Sequence, residues 1–377
     1  MKYKYGLLFL LLMTGCFFFF NSNNEDYSFK IVKKQINFNN YTFDLFKLNN
    51  SSVVPTNRLL DLKEFRYLIS NNPCKQLYIS KHNISTIQII TSYAGNVEAR
   101  RAIRRAYPRY ELEKLGIVRL FLLALCKPNG RDRITQHALF HENSRYGDLI
   151  QGNFLEDYKN LTYKHVMGLK WATTKCYNLK YIIKMDDDIL VDLYDLNNII
   201  TKKHLKETEL AGYLLKDLRP IRMKANKWYV TSEEYSDNTY PSFLSGWMYV
   251  VSVQLALKLV NSAHMVPYFW IDDLFITGIL ANQLNAKFID LSEYFSLHPE
   301  VVECCIRLRM KCGFFVAPTS GDYALQTKFH DHCYTCRTFM NACRTLPRGK
   351  TVEKMCVAKR RMPTLGKGLP HFSIVKI

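Results

Sequence analysis

The stretch "YIIKMDDDIL", residues 181–190, places three adjacent carboxylates, Asp186, Asp187 and Asp188, between two apolar flanks. Neighbouring like charges repel, so the arrangement needs a reason. A solvated acidic turn is one. The flanks read as buried, however, which favours a strand that delivers the carboxylates to the end of a sheet. Acids clustered on a short loop offer the oxygen ligands that a hard divalent cation takes. A cation held there can neutralise a diphosphate.

The surrounding sequence supplies the sheet. "STIQIITSYAG" (85–95) reads as a buried strand ending in a turn, and "VRLFLLALC" (118–126) as a second apolar strand. Between them, "VEARRAIRRAYPRYELEKLG" (97–116) has helical character broken at Pro108. The spacing of Leu161, Val166, Leu169 and Trp171 predicts a long amphipathic helix over 154–176, and "LKYIIKM" (179–185) is a third strand. Strand, helix, strand, helix, strand is the order of a doubly wound α/β sheet, whose ligands bind beyond the carboxyl ends of the strands. The aspartates fall at such an end.

Four further stretches carry candidate chemistry, each with a plain structural alternative. In "VPYFWIDDLFITGIL" (266–280), Asp272 and Asp273 open an apolar helical segment after three aromatics. They read as helix caps or as a general base in an aromatic-walled pocket. In "YPSFLSGWMYVVS" (240–252), Gly246 permits close approach of backbone to a ligand, or simply makes a turn. "RRAIRRAYPR" (100–109) presents Arg100 and Arg104 on one helix face, as a phosphate clamp or a surface decoration. "HDHCYTC" (330–336) suggests zinc, but no second ligand pair stands at suitable spacing, so disulfides are the better reading.

Composition bounds the class. The chain has 377 residues, 48% of them hydrophobic, and a formal net charge of +19. That charge suits an anionic partner. No basic region carries a nucleic-acid-binding signature, and no nucleic acid partner is expected. At the N-terminus, Lys2 and Lys4 precede an apolar run from Tyr5 to Phe20, followed by the polar "NSNNEDYS". This fits a short uncleaved signal anchor oriented N-in and C-out, with a cleaved signal peptide as the alternative. Sequons at Asn40, Asn49, Asn50, Asn83 and Asn160 agree with lumenal exposure. Of 11 cysteines, those beyond Cys16 read as disulfide material in an oxidising compartment, with pairing left open. The expected organisation is a cytosolic tail (1–4), a transmembrane anchor (5–20), a stem (21–85), a catalytic domain (86–300) and a Cys-rich basic extension (301–377).

Taken together, the segments from about residue 88 to 300 resemble the β-1,3-galactosyltransferase and β-1,3-N-acetylglucosaminyltransferase family. "RRAIRRAY" is similar to the family's Arg-x-x-Ile-Arg-x-Thr-Trp, and "FLLAL" to its Phe-Leu-Leu-Gly strand. Asp148, Phe154, Asp157, Tyr158, Asn160, Leu161, Thr162, Lys164 and Trp171 match its long Asp-Ile to Asn-Leu-Thr-x-Lys run. "YIIKMDDD" resembles the segment that carries the family's metal-binding Asp-x-Asp.

The resemblance implies a GT-A type, Rossmann-like fold and a type II Golgi membrane enzyme. It implies transfer of galactose or N-acetylglucosamine from a UDP-sugar to a glycan hydroxyl, with inversion and a β-1,3 linkage. Asp186 and Asp188 would hold Mn²⁺, with His298 as a further ligand. Arg100, Arg104, Lys164, Asp187, Gly246 and Asp272 would contact substrate, and Asp273 would be the base. The sequence departs from the family at Tyr107-Pro108, at Asp272 (usually Glu), and at Leu244 and Trp247-Met248, where a Cys and glycines are usual. The competing readings are a degenerate lumenal binding module and a metal-dependent phosphohydrolase.

Overall fold

In a computed structural model, the described residues are 57–74, 84–126, 134–176, 178–347 and 349–356. The apolar run 5–20, the sequons at Asn40, Asn49, Asn50 and Asn83, and the end of the chain lie outside them. Among the described residues no helix is long and apolar enough to cross a membrane.

The strands are β1 (Tyr67–Ser70), β2 (Thr86–Thr91), β3 (Ile117–Leu125), β4 (Leu149–Leu155), β5 (Tyr181–Asp186), β6 (Ile189–Val191), β7 (Glu209–Leu215), β8 (Phe243–Ser252), β9 (Lys287–Asp290) and β10 (Val316–Pro318). Eight form one sheet in the order β1-β4-β3-β2-β5-β8-β7-β9, and β10 pairs with β6 in a second. Strands β4, β3, β2 and β5 run parallel, while β8 joins β5 antiparallel. The class is mixed α/β with a parallel core.

The parallel strands are crossed over by α1 (Val97–Ala106) and α2 (Arg109–Lys114), then α3 (Gln136–Tyr146), then α4 (Leu161–Lys175). Pro108 caps α2, which is why the helical stretch breaks there. After the aspartates come α5 (Leu193–Lys203), α6 (Val253–Ser262), a π-type helix (Leu274–Leu280), α7 (Pro299–Arg307), α8 (Ala324–Thr338) and α9 (Val352–Cys356).

Period-two alternation along β2 sends Ile87 and Ile89 into a core shared with α4 and α6, and Ile90 into a core shared with α1 and α5. Burial on both faces accounts for the unbroken apolar runs that mark these strands.

The stretch read as a helix over 154–176 divides. Phe154 and Leu155 end β4, a short 3₁₀ turn covers Tyr158–Asn160, and α4 begins only at Leu161. The Asp157 carboxylate accepts from the Lys159 N–H at 2.9 Å and closes the turn between them. Nor is α4 amphipathic: most of it is buried, because the sheet lies on one side and residues 57–74 on another. The Tyr67 hydroxyl donates to Met167 O, Lys170 Nζ to Arg58 O, and Trp171 Nε1 to Ser70 Oγ. At Gly168 an added Cβ would meet Leu122 Cδ1 at 2.3 Å, so glycine is what lets α4 approach the sheet this closely.

Disulfides join Cys74 to Cys176, Cys304 to Cys356, Cys305 to Cys312 and Cys336 to Cys343. The cysteines of "HDHCYTC" are therefore split, with Cys336 paired and Cys333 carrying a thiol.

Candidate active site

Strand β5 ends at Asp186, and the chain turns through Asp187 and Asp188 into β6. Along this backbone Asp186 and Asp188 open into a cleft of about 260 Å³, whereas Asp187 does not line it. The Asp187 carboxylate is buried and accepts from Ser92 Oγ at 2.7 Å and Asn96 Nδ2 at 3.1 Å. Its N–H donates to Thr91 O at 3.1 Å, fastening the turn to the end of β2.

Asp272 and Asp273 face the same cleft from the start of the π-type helix. Lys184, only 1% exposed on β5, connects the two acidic groups. Its Nζ donates to Asp186 Oδ1 and to Gly246 O, each at 2.7 Å, and lies 3.8 Å from Asp272 Oδ2. Burial works to discharge this ammonium, but Asp186 and Asp272 outweigh it and hold it charged.

The second pair of acids has opposite environments. Burial alone would raise Asp272, yet Lys184 and His165 hold its carboxyl well below the usual range. His165 is fully buried, with Nδ1 2.9 Å from Asp272 Oδ2 and Nε2 2.5 Å from the Tyr249 hydroxyl. Burial pushes the imidazole toward neutrality. With Asp272 an acceptor, Nδ1 carries the proton and Nε2 accepts from Tyr249.

Asp273 is pushed up to about 6 by burial and by the adjacent Asp272. Its oxygens accept from Gly246 N–H at 3.0 Å and Leu274 N–H at 2.8 Å. Two neighbouring carboxylates whose proton affinities are driven apart suit an acid–base division of labour, with Asp273 the more basic.

The donor set at the β5 end is oxygen only. Asp186 is pushed up to about 8 by desolvation and, against Lys184, by Asp188 and Asp272. Carboxylates crowded in this way fit a hard divalent cation that takes two protein ligands and leaves its other positions to substrate and water. Among the described residues, the clusters of three ligand groups drawn close together lie elsewhere, around His332 and its neighbouring cysteines.

The other expected site residues are placed differently. Arg100 is fully buried, its guanidinium bonded to Glu142 at 2.7 Å and to the carbonyls of Tyr93 and Ala94. Arg104 makes a two-point contact with Asp148 at 2.9 and 2.7 Å. Lys164 Nζ is held by Glu156 at 2.6 Å and Ser92 O at 2.7 Å. Arg100 and Lys164 brace the loop after β2 and Arg104 ties α1 to the start of β4, rather than lining the cleft, because each cation found a buried acid of its own chain. His298 caps α7 beside Glu300 at 3.9 Å and is not among the cleft-lining residues.

The cleft wall also holds residues to which the sequence reading gave no site role: Tyr158, which only carried the family resemblance, and Arg219, Lys227, Trp228 and Tyr240. Trp228 Nε1 donates to the Tyr158 hydroxyl at 2.6 Å, and Tyr158 sits 5.9 Å from the Trp270 ring. Lys184 was visible as the lone cation in an apolar strand, but His165 carried no signal beyond one polar residue on a helix. Two residues of the cleft wall, Thr91 and Trp270, each have one buried polar atom, Oγ1 and Nε1, with no hydrogen-bond partner among the described residues.

A parallel α/β sheet carrying acids at the end of β5 and at a helix start agrees with a sequence match. Residues 98–292, more than half of the chain, match the galactosyltransferase family model, and the chain belongs to that family. It is 35% identical over 221 residues to human beta-1,3-galactosyltransferase 2, covering 58% of this chain and 51% of that protein. It is 29% identical over 252 residues to human beta-1,3-galactosyltransferase 5, covering 66% of this chain and 80% of that one. A third relative is the rat UDP-GlcNAc:betaGal beta-1,3-N-acetylglucosaminyltransferase 7, 32% identical over 210 residues, 54% of this chain and 52% of the relative. The chain thus spans about half the length of the first and third.

Proposed function

We propose that this protein is a UDP-sugar-dependent hexosyltransferase of GT-A type. It moves galactose or N-acetylglucosamine onto a glycan hydroxyl with inversion, forming a β-1,3 linkage. The observation that carries this reading is the shared cleft: Asp186 and Asp188 on one side, and Asp273, pushed up to about 6, on the other. Family membership and the named relatives support it.

Asp186 and Asp188 would hold Mn²⁺, which supplies charge neutralisation for the donor diphosphate. Asp273 takes the proton from the acceptor hydroxyl as that oxygen attacks the anomeric carbon and UDP departs. The N–H groups of Gly246 and Leu274 aim the carboxylate, and Lys184 sets Gly246 through its carbonyl. Asp272, held anionic by Lys184 and His165, keeps the neighbouring Asp273 basic. The aromatic wall of Tyr158, Trp228 and Trp270 offers flat apolar faces to sugar rings. The apolar run 5–20, preceded by Lys2 and Lys4 and followed by the polar 21–28, supports a single-pass type II membrane placement, which we assign to the Golgi.

A panel of UDP-sugars against mixed glycan acceptors, with and without Mn²⁺, tests the proposal. Product that requires both acceptor and Mn²⁺ is expected. Donor binding with no turnover in any combination would assign the chain to a lumenal binding role, and free sugar released equally without acceptor would assign a phosphohydrolase-like role.

A further inference from the structure

The two carboxylates offered to the cation are set by different parts of the chain. Asp186 is fixed by Lys184 within the large sheet. The Asp188 peptide is fixed from outside the span matched by the family model. Strand β10 pairs antiparallel with β6, aligning Val316 with Val191, Ala317 with Leu190 and Pro318 with Ile189. Immediately after it, Thr319 donates twice to Asp188 O, from its N–H at 2.8 Å and its hydroxyl at 2.9 Å. Gln326 Nε2, on α8, donates to Ile189 O at 2.8 Å.

Both donors are buried, Thr319 1% and Gln326 5% exposed, so water cannot replace the bonds they make. Leu190 is anchored in a small core built from the same segment, with Val301, Phe314, Ala317 and Phe329. The Asp188 side chain itself remains exposed to the cleft. An exposed carboxylate on a turn is a poor ligand unless its backbone is held.

We propose that residues 315–326 are a clamp that sets Asp188 for cation binding, with Thr319 as its positioning residue. The inference rests on the reading of Asp188 as a cation ligand. A segment outside the matched span thereby completes the site, and its contact is made to backbone, so it constrains geometry without adding a ligand.

The test is Mn²⁺ binding to the full chain, followed by electron paramagnetic resonance of the free ion, alongside KM for donor and kcat. Thr319→Val removes the hydroxyl donor and keeps the shape. It is expected to weaken Mn²⁺ about tenfold, with Thr319→Ser restoring wild-type affinity. Gln326→Leu gives the same direction and carries the test if Thr319→Val does not accumulate as folded protein. Wild-type Mn²⁺ affinity in either folded variant overturns the clamp. Asp188→Asn separates the two levels: if it binds Mn²⁺ as the wild type does, the ligand reading itself fails.

Discussion

Gly246 and Asp273 are joined by a hydrogen bond of 3.0 Å from the glycine N–H to the carboxylate Oδ2. The contact is close enough that a Cβ at position 246 would stand 3.3 Å from Asp273 Cβ, from Asp273 Oδ2 and from Lys184 Nζ. One small residue thus lets the proposed base, the buried lysine and the strand backbone converge. The expected effect of Gly246→Ala is a displaced Asp273 and a fall in kcat of roughly tenfold to a hundredfold. The variant should fold, because the lysine tip can shift. Kinetics and a melting curve on the same preparation check it, and an unchanged kcat would remove Asp273 alignment as the role of Gly246.

The acid limb of the pH profile should report Asp273. A base must be deprotonated to work, and burial together with Asp272 pushes this carboxyl up to about 6. Transfer should therefore fall as pH drops through about 6, approaching tenfold per unit below it. In Asp272→Asn the neighbouring negative charge is gone, so the limb should move to lower pH. A limb that stays in place in that variant would mean another group limits the rate. Asp273→Asn should lower kcat by about 10²–10⁴-fold with donor binding retained, measured by titration with UDP.

Lys184 should matter to stability as much as to chemistry. It is buried, and it faces Asp186, Asp272 and the Gly246 carbonyl. Lys184→Met would leave two carboxylates and a carbonyl without their shared cation. The expected cost is about 3–5 kcal/mol, the range for removing one partner of a buried ion pair. Denaturant unfolding of the two proteins measures it, and a difference under about 1 kcal/mol would show that water reaches the site and screens the acids.

The unbroken apolar runs of β2, β3 and β5 determined the parallel core of the sheet with helices on both faces, because only burial on both sides tolerates such strands. The same logic placed Asp186 and Asp188 at a strand end, and the start of an apolar helix placed Asp272 and Asp273. Pro108 marked the break between α1 and α2, since proline cannot continue a helix. These are local properties, readable wherever they occur in the chain.

Tertiary structure decided which charges are spent. Arg100 and Arg104 sit in one motif-like run and Lys164 in another, yet Glu142, Asp148 and Glu156 take them up in pairings that neither motif records. The start of α4 was misplaced for a similar reason: Phe154 belongs to a strand because of the core it enters, not because of its neighbours in sequence. The Asp272–His165–Tyr249 chain joins a helix start, a buried helix and a strand. The hold of Thr319 on Asp188 spans 131 positions. Hydrogen-bond partners are chosen by distance in space, and a sequence orders residues only by distance along the chain.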